Sequence, residues 1–185
     1  MDRTLDREWF ESDAPLLAPQ LLNKLLVADI DGVICSGRII ETEAYMPDDP
    51  ASHTYRGETK RNTVMFGSPG HLYVYLSYGI HQCANVVTGP VGSGQGVLIR
   101  AVEPVEGIDA MRVRRNRPDR ELANGPGKLC QALGIGDRHN GADLLGSDVA
   151  IVDDGLAPPS VPLVGPRIGI SRATTTPWRF RRPSD

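Results

Sequence analysis

Lysine is nearly absent from this chain: Lys24, Lys60 and Lys128 are the whole complement, so its basic character is carried by arginine. Cysteine is scarce too. Cys35, Cys83 and Cys130 are odd in number and lack C-x-x-C spacing, which argues against a disulfide framework and reads as buried, reduced thiols in an intracellular protein. His53, His71, His81 and His139 are too scattered for a metal site, so no metal or cofactor is expected. No apolar run approaches the roughly 18 to 20 residues that span a membrane. The first residues, MDRTLDREWFESD, are acidic and lack the basic and apolar regions of a secretory signal, so none is expected. The glycine run GPVGSGQG (89–96) lacks G-x-G-x-x-G spacing, and GPGKL (125–129) lacks that of a P-loop; neither reads as a nucleotide site. With no Ser- or Gly-rich linker in 185 residues that are 40% hydrophobic, residues 1–185 read as one compact domain, residues 1–14 being its loosely ordered start.

What is present is a set of rings around an acid. Residues 33–45 (VICSGRIIETEAY) are rich in Val and Ile, which favours a strand, and alternation then places Glu41, Glu43 and Tyr45 on one face. Asp31-Gly32 is a turn signal, making residues 25–45 a hairpin. On spacing alone these carboxylates read first as the coat of a solvated strand face. A second hairpin is expected over residues 71–88, with Tyr73 and Tyr75 on one face, Leu72, Val74 and Leu76 on the core face, and Tyr78-Gly79 at the reversal. A bulky ring at a tip suits a wedge into stacked bases, although ordinary half-buried strand tyrosines fit the pattern as well.

A short helix with an apolar stripe is expected from Pro19 through Leu21, Leu22, Leu25 and Leu26, with Ser12 or Asp13 as cap; further helices are expected at 105–116 and 126–134, and strands at 96–103, 148–153 and 166–170. Strands outnumber helices. The expected class is α+β, an antiparallel or barrel-like sheet with flanking helices and a protruding hairpin.

The runs ETEAYMPDDPASH (41–53), MFGSPGHLYVYLSYGIHQCANV (65–86), VLIRAVEPVEG (97–107) and GPGKLCQALGI (125–135), in this order, resemble the alkyladenine (3-methyladenine) DNA glycosylases, a likeness that extends from about residue 15 to Phe180. The resemblance implies an enzyme that flips alkylated or otherwise damaged purines out of double-stranded DNA and hydrolyses the N-glycosidic bond, beginning base excision repair. By the same resemblance Glu43 is the general base that activates water, and Arg100 helps hold that water. Tyr45, His53 and Tyr75 form the base pocket, with the His53 backbone N–H donating to the base. Asn85 crowds the amino group of normal guanine, Tyr78 is the intercalating wedge, and the backbone carbonyl of Ile168 contacts the water. The loop between Tyr45 and His53 is shorter than in the longer members of the family. A monomer acting in the cytoplasm or nucleoid is implied.

Elementary energetics agree with these residue types. Extrusion of a base costs a few kcal/mol and stacking on a ring returns about 1 to 3 kcal/mol per base. Alkylation makes a purine cationic, which electron-rich tyrosine faces favour by about 0.5 to 2 kcal/mol. None of the three lysines stands next to Glu43, Tyr45, His53, Tyr75 or Tyr78 in the sequence, so water rather than an amine is the expected nucleophile and no strand-nicking lyase activity is expected.

The net charge of −3 is unusual for a DNA partner. Arginine is nevertheless concentrated at Arg112, Arg114, Arg115, Arg117 and Arg120 and at Arg167, Arg172, Arg179, Arg181 and Arg182, which permits a local basic face. Phosphate contacts are expected from Arg112, Arg115 and Lys128, the first run reading equally as the solvated side of a helix. Two other classes fit part of the pattern: a module that grips distorted DNA without cutting it, and a nucleoside hydrolase with no use for Tyr78.

Overall fold

In the computed structural model, which describes residues 5–183, Asp31 and Gly32 both take positive φ (55° and 77°). That backbone matches the right-handed twist of flanking strands, and it joins β1 (Leu25–Ile30) to β2 (Val33–Tyr45) with Ile30 opposite Val33. A second tight reversal through Tyr78 and Gly79 joins β3 (Leu72–Ser77) to β4 (His81–Thr88). β5 (Gln95–Glu106) then pairs with both hairpins, and β6 (Val149–Val152) closes the far edge on β1. The order is β3-β4-β5-β2-β1-β6, every pair antiparallel. β7 (Leu163–Gly165) and β8 (Arg179–Arg181) add a short flap on β2. The sheet curls into a half-barrel, the α+β arrangement expected.

Its curvature has local causes. The β2–β5 register slips between Ile39 and Glu41 and again between Glu41 and Thr42, so Ile40 and Arg100 are extra residues on their strands. Such bulges bend a strand and re-aim a side chain. Gly37 sits at a third slip, where a Cβ would come within 2.5 Å of Val102 Cγ2.

Three α-helices stand among the described residues: α1 (Ala14–Gln20), α2 (Ile108–Arg115) and α3 (Pro126–Leu133). Phe10, Leu17, Leu21, Leu22, Leu26, Ile39, Leu72, Ile99, Met111 and Leu129 fill the core beneath them, and a smaller cluster of Met65, Tyr73 and Val87 lies apart. Cys35, Cys83 and Cys130 are buried and free. No helix among the described residues is long and apolar enough to cross a membrane.

Several boundaries differ from the sequence reading. The first helix ends at Gln20, with Pro19 in its last turn; Asn23 at φ 71° breaks the path, and Leu25 and Leu26 alternate in burial as part of β1. Asp13 is its cap position, but the side chain accepts from Gln95 Nε2 (2.9 Å) instead of capping. α2 begins only at Ile108, because β5 runs on to Glu106 through Pro104, which faces Gly37 at the slip. Leu76, expected in the core, is exposed. The strand expected at 166–170 is irregular coil: Pro166 has no N–H to give a ladder, Arg167 turns inward and Gly169 has φ 75°.

Of the start expected to be loosely ordered, residues 1–4 lie outside the described residues; of the rest, Leu5 and Trp9 pack against the core. Phe10 is fully buried against the Trp9 ring, 4.9 Å between centroids, and Arg7 pairs with Asp143 at 2.7 Å. Phe10→Ala is therefore expected to cost about 3 to 5 kcal/mol in urea unfolding at an unchanged m-value. A loss below about 1 kcal/mol would show this segment to be peripheral.

Candidate active site

Alternation along β2 brings Glu43 and Tyr45 to one face, and the Tyr45 hydroxyl donates to Glu43 Oε2 at 2.8 Å. Glu43 is 0% exposed. Its Oε1 accepts the Ile168 backbone N–H at 2.8 Å and lies 3.4 Å from Arg100 Nη1. Arg100 reaches this position because it is the bulged residue of β5, between the pairs Glu41↔Ala101 and Thr42↔Ile99. Glu41 orients it from behind: Arg100 Nε donates to Glu41 Oε1 at 3.1 Å, and Arg179 Nε donates to the same oxygen at 2.6 Å. The carboxylate of Glu43 is thus contacted by Tyr45, Arg100 and Ile168.

Those three residues line one cavity of about 670 Å³, within the range of small-molecule sites. His53, Tyr75, Tyr78 and Asn85 line it too. Tyr75 is stacked on Tyr73 (5.6 Å, 29°), and the His53 ring meets Tyr75 at 4.4 Å and 71°, so the β3 rings and the loop imidazole form one aromatic wall. Asn62 holds the loop in place by donating from Nδ2 to the His53 carbonyl at 2.9 Å. The amide of Asn85 donates to the carbonyls of Tyr73 (3.2 Å) and Cys83 (3.4 Å), which fixes its orientation at the floor.

Burial favours the neutral form of the Tyr45, His53 and Tyr75 rings. Burial, and then the Arg61 charge, push the His53 imidazole below its ordinary range. Burial, with the Glu43 charge second, pushes the Tyr45 phenol up, and burial does the same for Tyr75. The same burial disfavours an imidazolium at His53, which would repel a cationic guest in the cavity.

Tyr78 is 88% exposed at the hairpin tip and borders the same cavity. Its φ of 50° is uncommon for a bulky residue, and it is the adjoining Gly79 at φ 73° that lets the reversal close so tightly. The ring is thereby held clear of the body of the protein.

The expected phosphate contacts are not brought to this cavity. Arg112 is held by Asp109 and Asp119, both at 2.6 Å; Arg115 donates to the Leu122 carbonyl and Gln131; Lys128 Nζ donates to Asn124 Oδ1 at 2.9 Å. None of the three lines it. Arg56, Arg61 and Arg172 do. Of these, only Arg172 belonged to an arginine cluster singled out in the sequence; Arg56 and Arg61 stand in the loop after His53, and proximity to that ring was the available signal. At Ile168 the group that reaches Glu43 is the backbone N–H, where the resemblance implied a carbonyl contact with water. Arg167 and Glu41, which sequence reasoning gave no role at the site, contact Tyr45 and Arg100 respectively.

Comparison with known proteins matches residues 8–185 to the family described as Methylpurine-DNA glycosylase (MPG). Relatives named "Putative 3-methyladenine DNA glycosylase" are similar over nearly the whole chain. That of Burkholderia lata is 54% identical over 98% of this chain and 88% of its own length. That of Carboxydothermus hydrogenoformans is 48% identical over 95% and 93%, and that of Rhodopseudomonas palustris 49% over 95% and 85%.

Proposed function

The chain belongs to the methylpurine-DNA glycosylase family, DNA-repair hydrolases acting on N-glycosyl bonds, and on that premise we propose that it flips damaged purines out of duplex DNA and releases them with a Glu43-activated water. One observation carries this reading: a buried carboxylate, held by two hydrogen bonds and the Arg100 charge, lies directly behind Tyr45, Arg100 and Ile168, three residues that line a ring-lined cavity bordered by an exposed tyrosine.

Each residue has a physical task. The extruded purine stacks in the slot bounded by Tyr45, His53 and Tyr75, and the Tyr78 ring fills the gap left in the duplex. The His53 N–H donates to the base, and Asn85 crowds the exocyclic amino group of undamaged guanine. Arg100 Nη1 stops at 3.4 Å from Glu43, beyond the roughly 2.7 to 2.9 Å of a close charge-assisted bond, so this is the carboxylate contact a water most readily bridges. The water is deprotonated by Glu43 as it adds to the anomeric carbon, and the base departs with the electrons of the glycosidic bond. The negative charge of Glu43 also favours the positive sugar that develops in the transition state. A purine alkylated on the ring is already a good leaving group, so the neutral, electron-rich slot is suited to cationic lesions.

Arg56, Arg61 and Arg172 line the cavity, and in this reading they meet the backbone of intracellular duplex DNA, bound by one monomer. No lysine lines the cavity; Lys24 is buried with Asp153 at 3.0 Å. The test is a panel of duplexes, each with one lesion, assayed for free base with and without borohydride. Free methylpurine is expected with no trapped protein–DNA adduct. A trapped adduct would replace water by an amine nucleophile, and silence on every lesion would remove the enzymatic reading.

A further inference from the structure

Behind the Tyr45 ring lies a charge pair that the chemistry above does not use. The side chains of Arg167 and Asp49 are 0% and 2% exposed. Both terminal nitrogens of Arg167 donate to the Asp49 carboxylate, Nη2 at 3.0 Å, and Nη1 also donates to the Ala44 carbonyl at 2.9 Å. The guanidinium carbon stands 4.6 Å from the centroid of Tyr45 and 5.4 Å from that of Trp178. Arg167 Nε is buried without a partner. Such pairs rarely add stability over apolar residues of the same volume, so folding alone gives little reason for this one.

Its position is informative. Tyr45 lines the cavity and Arg167 does not, so the cation backs the ring. Asp49 stands in the loop whose Pro50, Ala51 and Ser52 form one wall, and Arg167 precedes the coil whose Ile168 donates to Glu43. The geometry points to Arg167, pinned by Asp49, as a positioning residue that sets the charge preference of the base slot through the Tyr45 ring. This rests on the proposed glycosylase reading and adds a determinant of which lesions it favours. A purine stacked on the open face of Tyr45 would lie roughly 8 Å from the guanidinium, one van der Waals contact beyond the ring. One uncompensated charge at that range changes the affinity for a cation by about two- to thirtyfold, depending on the effective dielectric. Asp49, on the far side, offsets most of it.

The test is the ratio of single-turnover release of cationic 7-methylguanine to that of neutral hypoxanthine, in duplexes of one sequence. Asp49→Asn strips the counter-charge and should lower the ratio by about two- to thirtyfold. Asp49→Asn combined with Arg167→Gln leaves a neutral hydrogen-bonding pair and should raise the ratio about twofold above the wild type. A purely structural pair would change both rates together, and a constant ratio across the three proteins overturns the inference. Should Asp49→Asn fail to fold, the double variant decides alone: a raised ratio supports the inference, and an unchanged or lowered one ends it. A wild type that releases neither base removes the glycosylase reading itself, a result distinct from a constant ratio.

Discussion

Glu43→Gln is expected to bind a duplex containing an abasic analogue as the wild type does, while releasing base about 10² to 10⁴-fold more slowly, the usual range for loss of a positioned general base. Glutamine keeps one oxygen to accept from the Ile168 N–H or the Tyr45 hydroxyl, and its amide occupies nearly the same volume, so the wall is preserved. It cannot take a proton from water. Arg100 retains Glu41 at 3.1 Å and is not left without a counter-charge. Single-turnover base release and equilibrium binding, measured on the same protein, separate the outcomes. Loss of both assigns Glu43 to folding; retention of release moves the chemistry elsewhere and favours a module whose grip on distorted DNA needs no acid.

Tyr78→Ala carries the next largest effect. The ring is 88% exposed, so its removal should leave unfolding free energy within about 0.5 kcal/mol of the wild type. The stacking it would provide is about 1 to 3 kcal/mol, so kcat/KM on a lesion within duplex should fall by roughly 5- to 150-fold. The same lesion in single-stranded DNA, where no gap needs filling, should be affected far less. An undiminished rate on duplex would shift the assignment toward hydrolysis of small nucleosides.

The parts of this molecule legible in the sequence are those set by neighbours in the chain. Glu43 and Tyr45 share a face because they are two apart on a strand, and Asp31-Gly32 and Tyr78-Gly79 reverse the chain with positive φ. Arg100 was reached through family resemblance alone; its aim depends on a bulge that no alternation rule foresees. Arg167 was less accessible still. An arginine in PRIGI reads as a surface charge on a strand, and what buries it is Asp49, 118 residues away. The arginine run at 112–120 presents the opposite case. Its counter-charges, Asp109 and Asp119, are close in sequence, and the ion pairs they form with Arg112 leave that side chain engaged on its own surface.

A crystal structure of the Glu43→Gln protein with a duplex carrying one alkylated purine tests the central claim most directly. The account predicts the base rotated out and stacked between Tyr45 and the His53–Tyr75 wall, Tyr78 in the vacated step, and the anomeric carbon facing residue 43 across a single water. A damaged base still stacked in the helix, or seated outside this cavity, would contradict it.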